Sequence, residues 1–380
     1  MSSPESQSVE IVSSRSHYRD FFSLKKKIYQ DDPAVVFSLP SIERMQLDVN
    51  GHPFYEHASR QMFVCYRNRK PVGRIVAIKD ELHNQHNDDR VGFFGFFEAI
   101  DDQQVVESLL DSAADWLRDH GCDTMRGPVN PSMKSDFGVV VEGNELPPMV
   151  MMGYSPKRYQ RHFLDAGLDL AKRFFAYHYY SSDFAAAQDR WEHLDAASKK
   201  ILRRYPQIEM RSASKETFDQ TMRDVNELAN VVRANGWGFV PLTEAELAFM
   251  ISNLRRVIRY DMIHLAYWEG QLVGYIVSIP DVNWALKRAK GPFEWIRMLR
   301  MPGLMRKTPH SRVIALGVDN NFRNKGIASL LIHQLVKNYD AFDQWEFSWV
   351  DEENLPSIRI IARTIPLARS KTYELYQKSI

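Results

Sequence analysis

Residues 315–328 read Ala315-Leu316-Gly317-Val318-Asp319-Asn320-Asn321-Phe322-Arg323-Asn324-Lys325-Gly326-Ile327-Ala328. Up to Val318 the stretch is apolar and suits a strand, and a polar run then breaks it. From about Gly326 the period changes, with Ile327, Leu330, Leu331 and Leu335 recurring at helical spacing. The expected geometry is therefore a strand, a polar turn and the start of a helix. The first turn of a helix has backbone N–H groups without intrahelical partners, and the peptide dipoles add positive character there. Arg323 and Lys325 bring two cations to the same end, while Gly326 and Ala328 are small enough for a bulky anion to approach the backbone. Such a turn suits a pyrophosphate.

The surrounding half extends this pattern. Ile208–Ser212 reads as a strand and Thr217–Asn235 as a helix. Met262–Trp268 and Gln271–Ile279 form a hairpin turning at Glu269-Gly270. After the strand Arg312–Val318 and the helix Gly326–Tyr339 come a strand Gln344–Val350, a helix Leu355–Arg363 and a closing strand Lys371–Gln377.

The first half repeats this order. A strand begins at Val9, a helix covers Phe21–Tyr29, and Gln61–Tyr66 and Pro71–Ile78 alternate as strands about the turn Arg67–Lys70. The aromatic strand Val91–Ile100 precedes an amphipathic helix, Gln103–His120, with Val106, Leu109, Leu110, Ala113 and Leu117 on one face. Gly121 ends that helix, and a short strand follows at Cys122–Met125. The element order is shared without obvious residue identity, an architectural duplication. The first half's equivalent turn, Glu98-Ala99-Ile100-Asp101-Asp102-Gln103-Gln104-Val105, has three acidic residues, no Arg or Lys and no glycine. A pyrophosphate would be repelled there.

The spacing Arg323-x-x-Gly326-x-Ala328 resembles the acyl-coenzyme A signature of the GNAT superfamily of N-acetyltransferases. Supporting features follow in the expected order: Leu316-Gly317-Val318 ending a strand, then Phe347–Val350 before the cluster Asp351-Glu352-Glu353-Asn354, then the closing strand. Gly127-Pro128-Val129-Asn130-Pro131-Ser132, Pro147–Met152 and Tyr154 extend the resemblance to a group of bacterial proteins of about this length with tandem GNAT-like domains. The resemblance implies an α/β fold with two such domains, each a mixed, mostly antiparallel sheet flanked by helices. The expected division is a disordered tail at 1–8, a first domain at 9–183 that does not bind coenzyme A, a connecting helix at 184–206, and an acyltransferase domain at 207–380.

The resemblance also implies a chemistry. An amine attacks the acyl-CoA thioester directly in a ternary complex, so catalysis rests on positioning, on an oxyanion donor and on proton transfers. It places the pantetheine arm along Leu316 and Val318 and the phosphates at Arg323, Asn324, Lys325, Gly326, Ile327 and Ala328. It makes the N–H of Val318 the oxyanion donor and sets Asn354 beside the pantetheine arm, where an Asn would equally serve as a helix N-cap. Superfamily members often carry a glutamate base on the strand before the turn, and Arg312–Val318 has no carboxylate. The base then falls to Glu352 through a water, or there is none; an acidic residue at a helix start is the other reading of Glu352. The helix 357–363 lacks the superfamily's tyrosine, which leaves Tyr373 or Tyr376 as general acid, or as packed strand residues.

Composition sets the outer bounds. A chain of 380 residues with 44% hydrophobic and 26% charged residues suits two globular domains, and a net charge of +1 gives no general attraction to nucleic acid. Two cysteines, Cys65 and Cys122, point to a reducing cytoplasm, with no disulfide framework. His83-Asn84-Gln85-His86 with Asp88 and Asp89 reads as a solvated loop rather than a metal site, and no metal is implied. Between Pro280 and Ser311, Trp284, Leu286, Phe293, Trp295, Ile296, Leu299, Leu304 and Met305 alternate with Lys287, Arg288, Lys290, Arg297, Arg300, Arg306 and Lys307. Residues 284–307 thus suit peripheral contact with the inner membrane or cover for an acyl chain, or form a lid packed on its own domain, with Pro302-Gly303 expected to break any helix. The expected acceptor is a small-molecule or lipid-like amine. A non-catalytic acyl-CoA-binding module is the alternative, and an aminoacyl-tRNA-dependent transferase a more distant one, since those pair two GNAT-like domains without the Arg-x-x-Gly-x-Ala turn.

Overall fold

The computed structural model describes residues 6–185, 188–337, 342–365 and 367–380. The chain forms two compact units, one holding the residues up to Arg173 together with Lys371–Ile380, the other Phe174–Ser370. The first contains β1 (Gln7–Ile11), β2 (Ala58–Arg67), β3 (Lys70–Asp80), β4 (Val91–Ala99), β5 (Thr124–Gly127), the small ladder β6 (Val129–Asn130) with β7 (Asp136–Phe137), and β8 (Val139–Glu142). Strand β9 (Asp169–Tyr180) carries the chain into the second unit, which holds β10 (Ile208–Ser212), β11 (Ile263–Trp268), β12 (Gln271–Pro280), β13 (His310–Val318) and β14 (Gln344–Asp351). Strand β15 (Ala368–Ser379) returns, from Lys371 onward, to the first unit.

The sheet portions of the two units are built alike. In the first, β1 to β4 pair antiparallel in order, β4 runs parallel to β5, and β5 pairs antiparallel with β15. In the second, β10 to β13 pair antiparallel, β13 runs parallel to β14, and β14 pairs antiparallel with β9. Helix Gln103–Asp119 covers the first sheet and helix Ile327–Val336 the second. Their buried faces, including Val106, Leu109 and Leu117 in one and Ile327, Leu331 and Leu335 in the other, are the stripes that the 3.6-residue period marked. Each such side chain taken from water contributes about 1.5–3 kcal/mol. A glycine on the third strand of each sheet lets the helix come close. A Cβ on Gly73 would meet Leu109 and Val105 at 2.6 and 2.9 Å, and one on Gly274 would meet Ile327 at 2.8 Å.

Several expectations are corrected. The closing strand does not complete the second unit: Tyr376 pairs with Gly127 and Ser379 with Thr124 of the first. The second sheet is instead closed by β9, with Gln344 opposite Tyr180. Helix Gln188–Arg204 is not a free connector, because Leu194, Ile201 and Leu202 pack in the second core. The expected tail is shorter, since Gln7 and Ser8 pair with Arg67 and Tyr66; residues 1–5 lie outside the described residues. The end of the expected helix at Tyr339 also lies outside them. Residues 81–87 are a short helix capped by Asp80, with His83 buried 3.4 Å from Asp89, rather than a solvated loop. Helix Glu294–Met305 runs through Pro302. The one backbone bond lost there falls on an exposed turn, where water can take the carbonyl. Both cysteines are buried and unpaired with each other.

Candidate active site

The turn after β13 forms as its residues dictate. Asp319 accepts from the N–H of Asn321 at 2.8 Å and caps a short 3-10 turn, Asn320–Phe322. Asn324 and Gly326 then take left-handed backbone conformations, φ 66° and 81°. At Gly326 this costs nothing, and the missing side chain also leaves room for Ile201, which a Cβ would meet at 2.5 Å. Gly326 is the N-cap of helix Ile327–Val336 and, having no side chain, makes no cap hydrogen bond to that N-terminus. Its first-turn N–H groups therefore stay available to an anion. Ala328 beside them is half-buried.

The two cations of the turn differ in setting. Arg323 and Asn324 are exposed. Lys325 lies over two aromatic rings, 4.9 Å from the centre of Trp268 and 5.3 Å from that of Tyr205, so its ammonium is held at the turn by a cation–π platform. Phe322 adds its ring to Trp268 at 5.4 Å.

Upstream, β13 and β14 pair only from His310–Gln344 to Val313–Phe347. Beyond Val313 the two parallel strands no longer pair, while β13 continues against β12 to Val318 opposite Gly274. The N–H of Asp319 bonds back to Val273 at 2.9 Å. Alternation along an antiparallel ladder then directs the N–H groups of Leu316 and Val318 to the other edge, the side that β14 has left. The strand edge expected to meet an extended amide-bearing arm is thus freed beside the turn expected to hold phosphates.

Asn354 occupies the N-cap position of helix Leu355–Thr364, its carbonyl accepting from Ile358 at 3.2 Å. It is exposed, and Glu352 is half-buried in the turn just after β14. Leu316, Val318, Arg323–Ala328, Glu352 and Asn354 all belong to the second unit. Tyr376 does not. It is 1% exposed in the first unit's core, against Phe163 at 5.8 Å, and donates to Glu374. Burial and that carboxylate push its phenol well above the usual tyrosine value. Tyr373 is likewise fully buried, so both are packed strand tyrosines rather than accessible acids.

Sequence reasoning passed over one buried polar group where β13 and β14 begin to part. Arg312 donates to the hydroxyl of Ser348 at 2.8 Å and to its carbonyl at 3.0 Å, and Ser348 donates to Glu346 at 2.8 Å. All three are buried. Such a hydrogen-bonded charge can stay buried only while its partners hold, which ties the two strands at the point of divergence. An arginine opening the otherwise apolar run Arg312–Val318 was the signal available.

A sheet whose parallel pair parts beside the helix start at Gly326 is the GNAT-type fold, and residues 234–364 match the Acetyltransferase (GNAT) family. The chain as a whole has the tandem GNAT fold. It superimposes on a tandem GNAT protein from the clavulanic acid biosynthesis pathway with a TM-score of 0.56, covering 98% of each chain at 10% identity. It is also 29% identical over 385 residues to the bacterial ceramide synthase of Caulobacter vibrioides (strain NA1000 / CB15N), covering 98% of this chain and 97% of that one. Over 378 residues it is 28% identical to protein YghO of Escherichia coli (strain K12), covering 96% and 94%.

Proposed function

We propose that the second unit transfers an acyl group from coenzyme A to the amine of a long-chain, lipid-like acceptor. The observation that carries this reading is the uncapped N-terminus at Gly326 lying directly after the freed edge of β13. The turn would hold the phosphates through backbone N–H groups with Arg323, and the edge at Leu316 and the carbonyl of Val318 would pair with the pantetheine amides. The acceptor class draws support from the relative named bacterial ceramide synthase, since a ceramide is an N-acylated long-chain amino alcohol.

In the reaction the amine nitrogen bonds to the thioester carbonyl carbon, the tetrahedral oxyanion takes the N–H of Val318, and the C–S bond breaks. The proton lost by the amine ends on the departing thiolate, so atoms and charge balance. Glu352, half-buried beyond the end of β14, is the candidate to relay that proton through water. Asn354 would orient the pantetheine arm. No carboxylate lies on β13, so most of the rate gain in this scheme comes from orientation and from the oxyanion contact.

The test is calorimetric titration with coenzyme A, acetyl-CoA and palmitoyl-CoA, followed by thiol release with sphinganine and with a short amine. Binding and turnover that favour the long-chain pair uphold the reading. Failure of the protein to bind any of the three would overturn it, and binding without turnover on any amine would leave an acyl-CoA-binding module instead.

A further inference from the structure

Between β12 and β13 the chain makes two helices, Val282–Arg288 and Glu294–Met305. Their base is fixed. Asp281 accepts from the N–H groups of Asn283 and Trp284, and its own backbone is bonded to His310 and Thr308. The second helix is inside out. Trp295, Met298, Leu299 and Pro302 stand at the i, i+3, i+4, i+7 spacing that normally faces a core, yet this face points outward. Leu299 is 73% exposed, Trp295 61% and Met298 53%, with Phe293 before them at 60%. Arg297 is on the half-buried face instead, donating to the carbonyl of Ala289 at 3.0 Å.

Charge surrounds that apolar face. From 282 to 307 the chain carries seven Lys or Arg and one carboxylate, Glu294, in a protein of net charge +1. Arg288, Lys290, Arg300, Arg306 and Lys307 are exposed. Arg288 lies over the ring of Trp284 at 3.9 Å, and Arg300 donates to the carbonyl of Lys290, which holds both cations at the rim of the patch.

We infer that this face docks on the surface of an anionic phospholipid bilayer, with Phe293, Trp295, Met298 and Leu299 entering the headgroup boundary and the basic rim meeting lipid phosphates. An outward apolar stripe bordered by cations is the pattern of an interfacial helix. A second copy of the chain is the poorer occupant, because a symmetric contact would set one basic rim against another. The base of the helices is at His310 and the phosphate turn follows Val318, at the far end of a strand of nine residues, roughly 30 Å long. The proposed anion turn and the proposed anionic surface would thus address opposite ends of β13. The inference stands without the acyltransferase reading, since lipid docking needs no coenzyme A.

The experiment is flotation of the full chain with phosphatidylglycerol-containing vesicles and with pure phosphatidylcholine vesicles, at low and high salt. Binding is expected to the anionic vesicles and to weaken as salt rises. Arg300→Gln with Arg306→Gln should weaken it about 25-fold, at about fivefold for each charge removed. Trp295→Ser with Leu299→Ser should abolish it, and because all four side chains are exposed, each variant should keep the wild-type melting curve. Equal binding to both vesicle types, or variants that bind as the wild type does, would overturn the inference. So would a wild-type dimer dissolved by Leu299→Ser without lipid binding, which would assign the face to a second copy.

Discussion

The two units place a helix start at corresponding positions and finish it in opposite ways. In the first, Asp102 caps helix Gln103–Asp119, its carboxylate accepting from Val105 at 3.2 Å and pairing with Arg67 at 2.8 Å. In the second, Gly326 offers no side chain. Aligning the units on Gly73 and Gly274 sharpens the contrast. Gly73 faces Val105 and Leu109 and Gly274 faces Ile327 and Leu331, so Val105, two positions inside its helix, corresponds to Ile327, the first of its helix. The first helix therefore extends about 3 Å further over the place where an anion would sit. A carboxylate and an added half-turn occupy that N-terminus, which disfavours an anion there.

The strands before these turns differ as well. Opposite Arg74 the first sheet has Glu98, and at the matching register, opposite Tyr275, the second has Gly317. Glu98 was expected as part of an acidic turn, but it lies within β4 and only Asp101 and Asp102 reach the turn. It is buried, takes hydrogen bonds from Tyr29 at 2.5 Å and Tyr159 at 3.2 Å, and has Lys25 and Arg74 within 3.9 Å. Burial outweighs those cations and holds its carboxyl above the usual value. The first unit has a structural charge cluster where the second has a buried glycine with the ring of Tyr275 against it.

Changes to these paired features should therefore have unlike effects. The largest is expected from Glu98→Ala, which takes the buried carboxylate from Tyr29, Tyr159 and Lys25 while Arg74 keeps Glu43 at 2.7 Å, and should cost about 3 kcal/mol in chemical denaturation; a cost under about 1 kcal/mol would mean the cluster is not structural. Next, Arg323→Ala with Ala328→Glu should weaken coenzyme A binding about 100-fold, equivalent to about 2.7 kcal/mol, without unfolding, because a glutamate in the first turn suits the helix. The double variant avoids Gly326, where any side chain would strike Ile201. Unchanged calorimetric affinity would move the anion site elsewhere. Gly274→Ala, forcing a Cβ against Ile327, should cost about 1–3 kcal/mol and weaken binding as the helix start shifts; thermal melting with titration would separate the two.

The smallest effect belongs to Asp102→Ala, about 1 kcal/mol for loss of a cap, with no gain of coenzyme A binding by the first unit. Its pH dependence has a definite sign. The hydrogen bond from Arg67 leads the causes that hold Asp102 below the ordinary carboxylate value. Its contribution should be fully present above pH of about 4 and disappear as pH falls through the lower native value, so wild type and variant should converge in acid. A difference that grew on acidification would contradict the cap.

Much of this was legible beforehand. Amphipathic periods placed helix Gln103–Asp119 and the start of helix Ile327–Val336 within a residue, and Glu269-Gly270 marked its hairpin, because side-chain burial and turn conformation act over a handful of neighbours. Strand β9 escaped notice, as did the exchange of closing strands. Lys371–Gln377 alternates as any half-buried strand does, and nothing within it states whether β5 or β14 is its neighbour. The same holds for Arg312 and Glu98: a charge within an apolar run signals a buried partner without naming it.

Element order, its duplication and the chemistry of the turn at Arg323–Ala328 were already written in the chain, since these follow from local period, residue size and backbone freedom. The tertiary structure alone decided which strand closes which sheet, that β14 leaves β13 after Val313, and that the face of Trp295 and Leu299 turns outward. Those outcomes depend on pairings between residues far apart in the chain, whose energies compete only once the whole sheet is assembled.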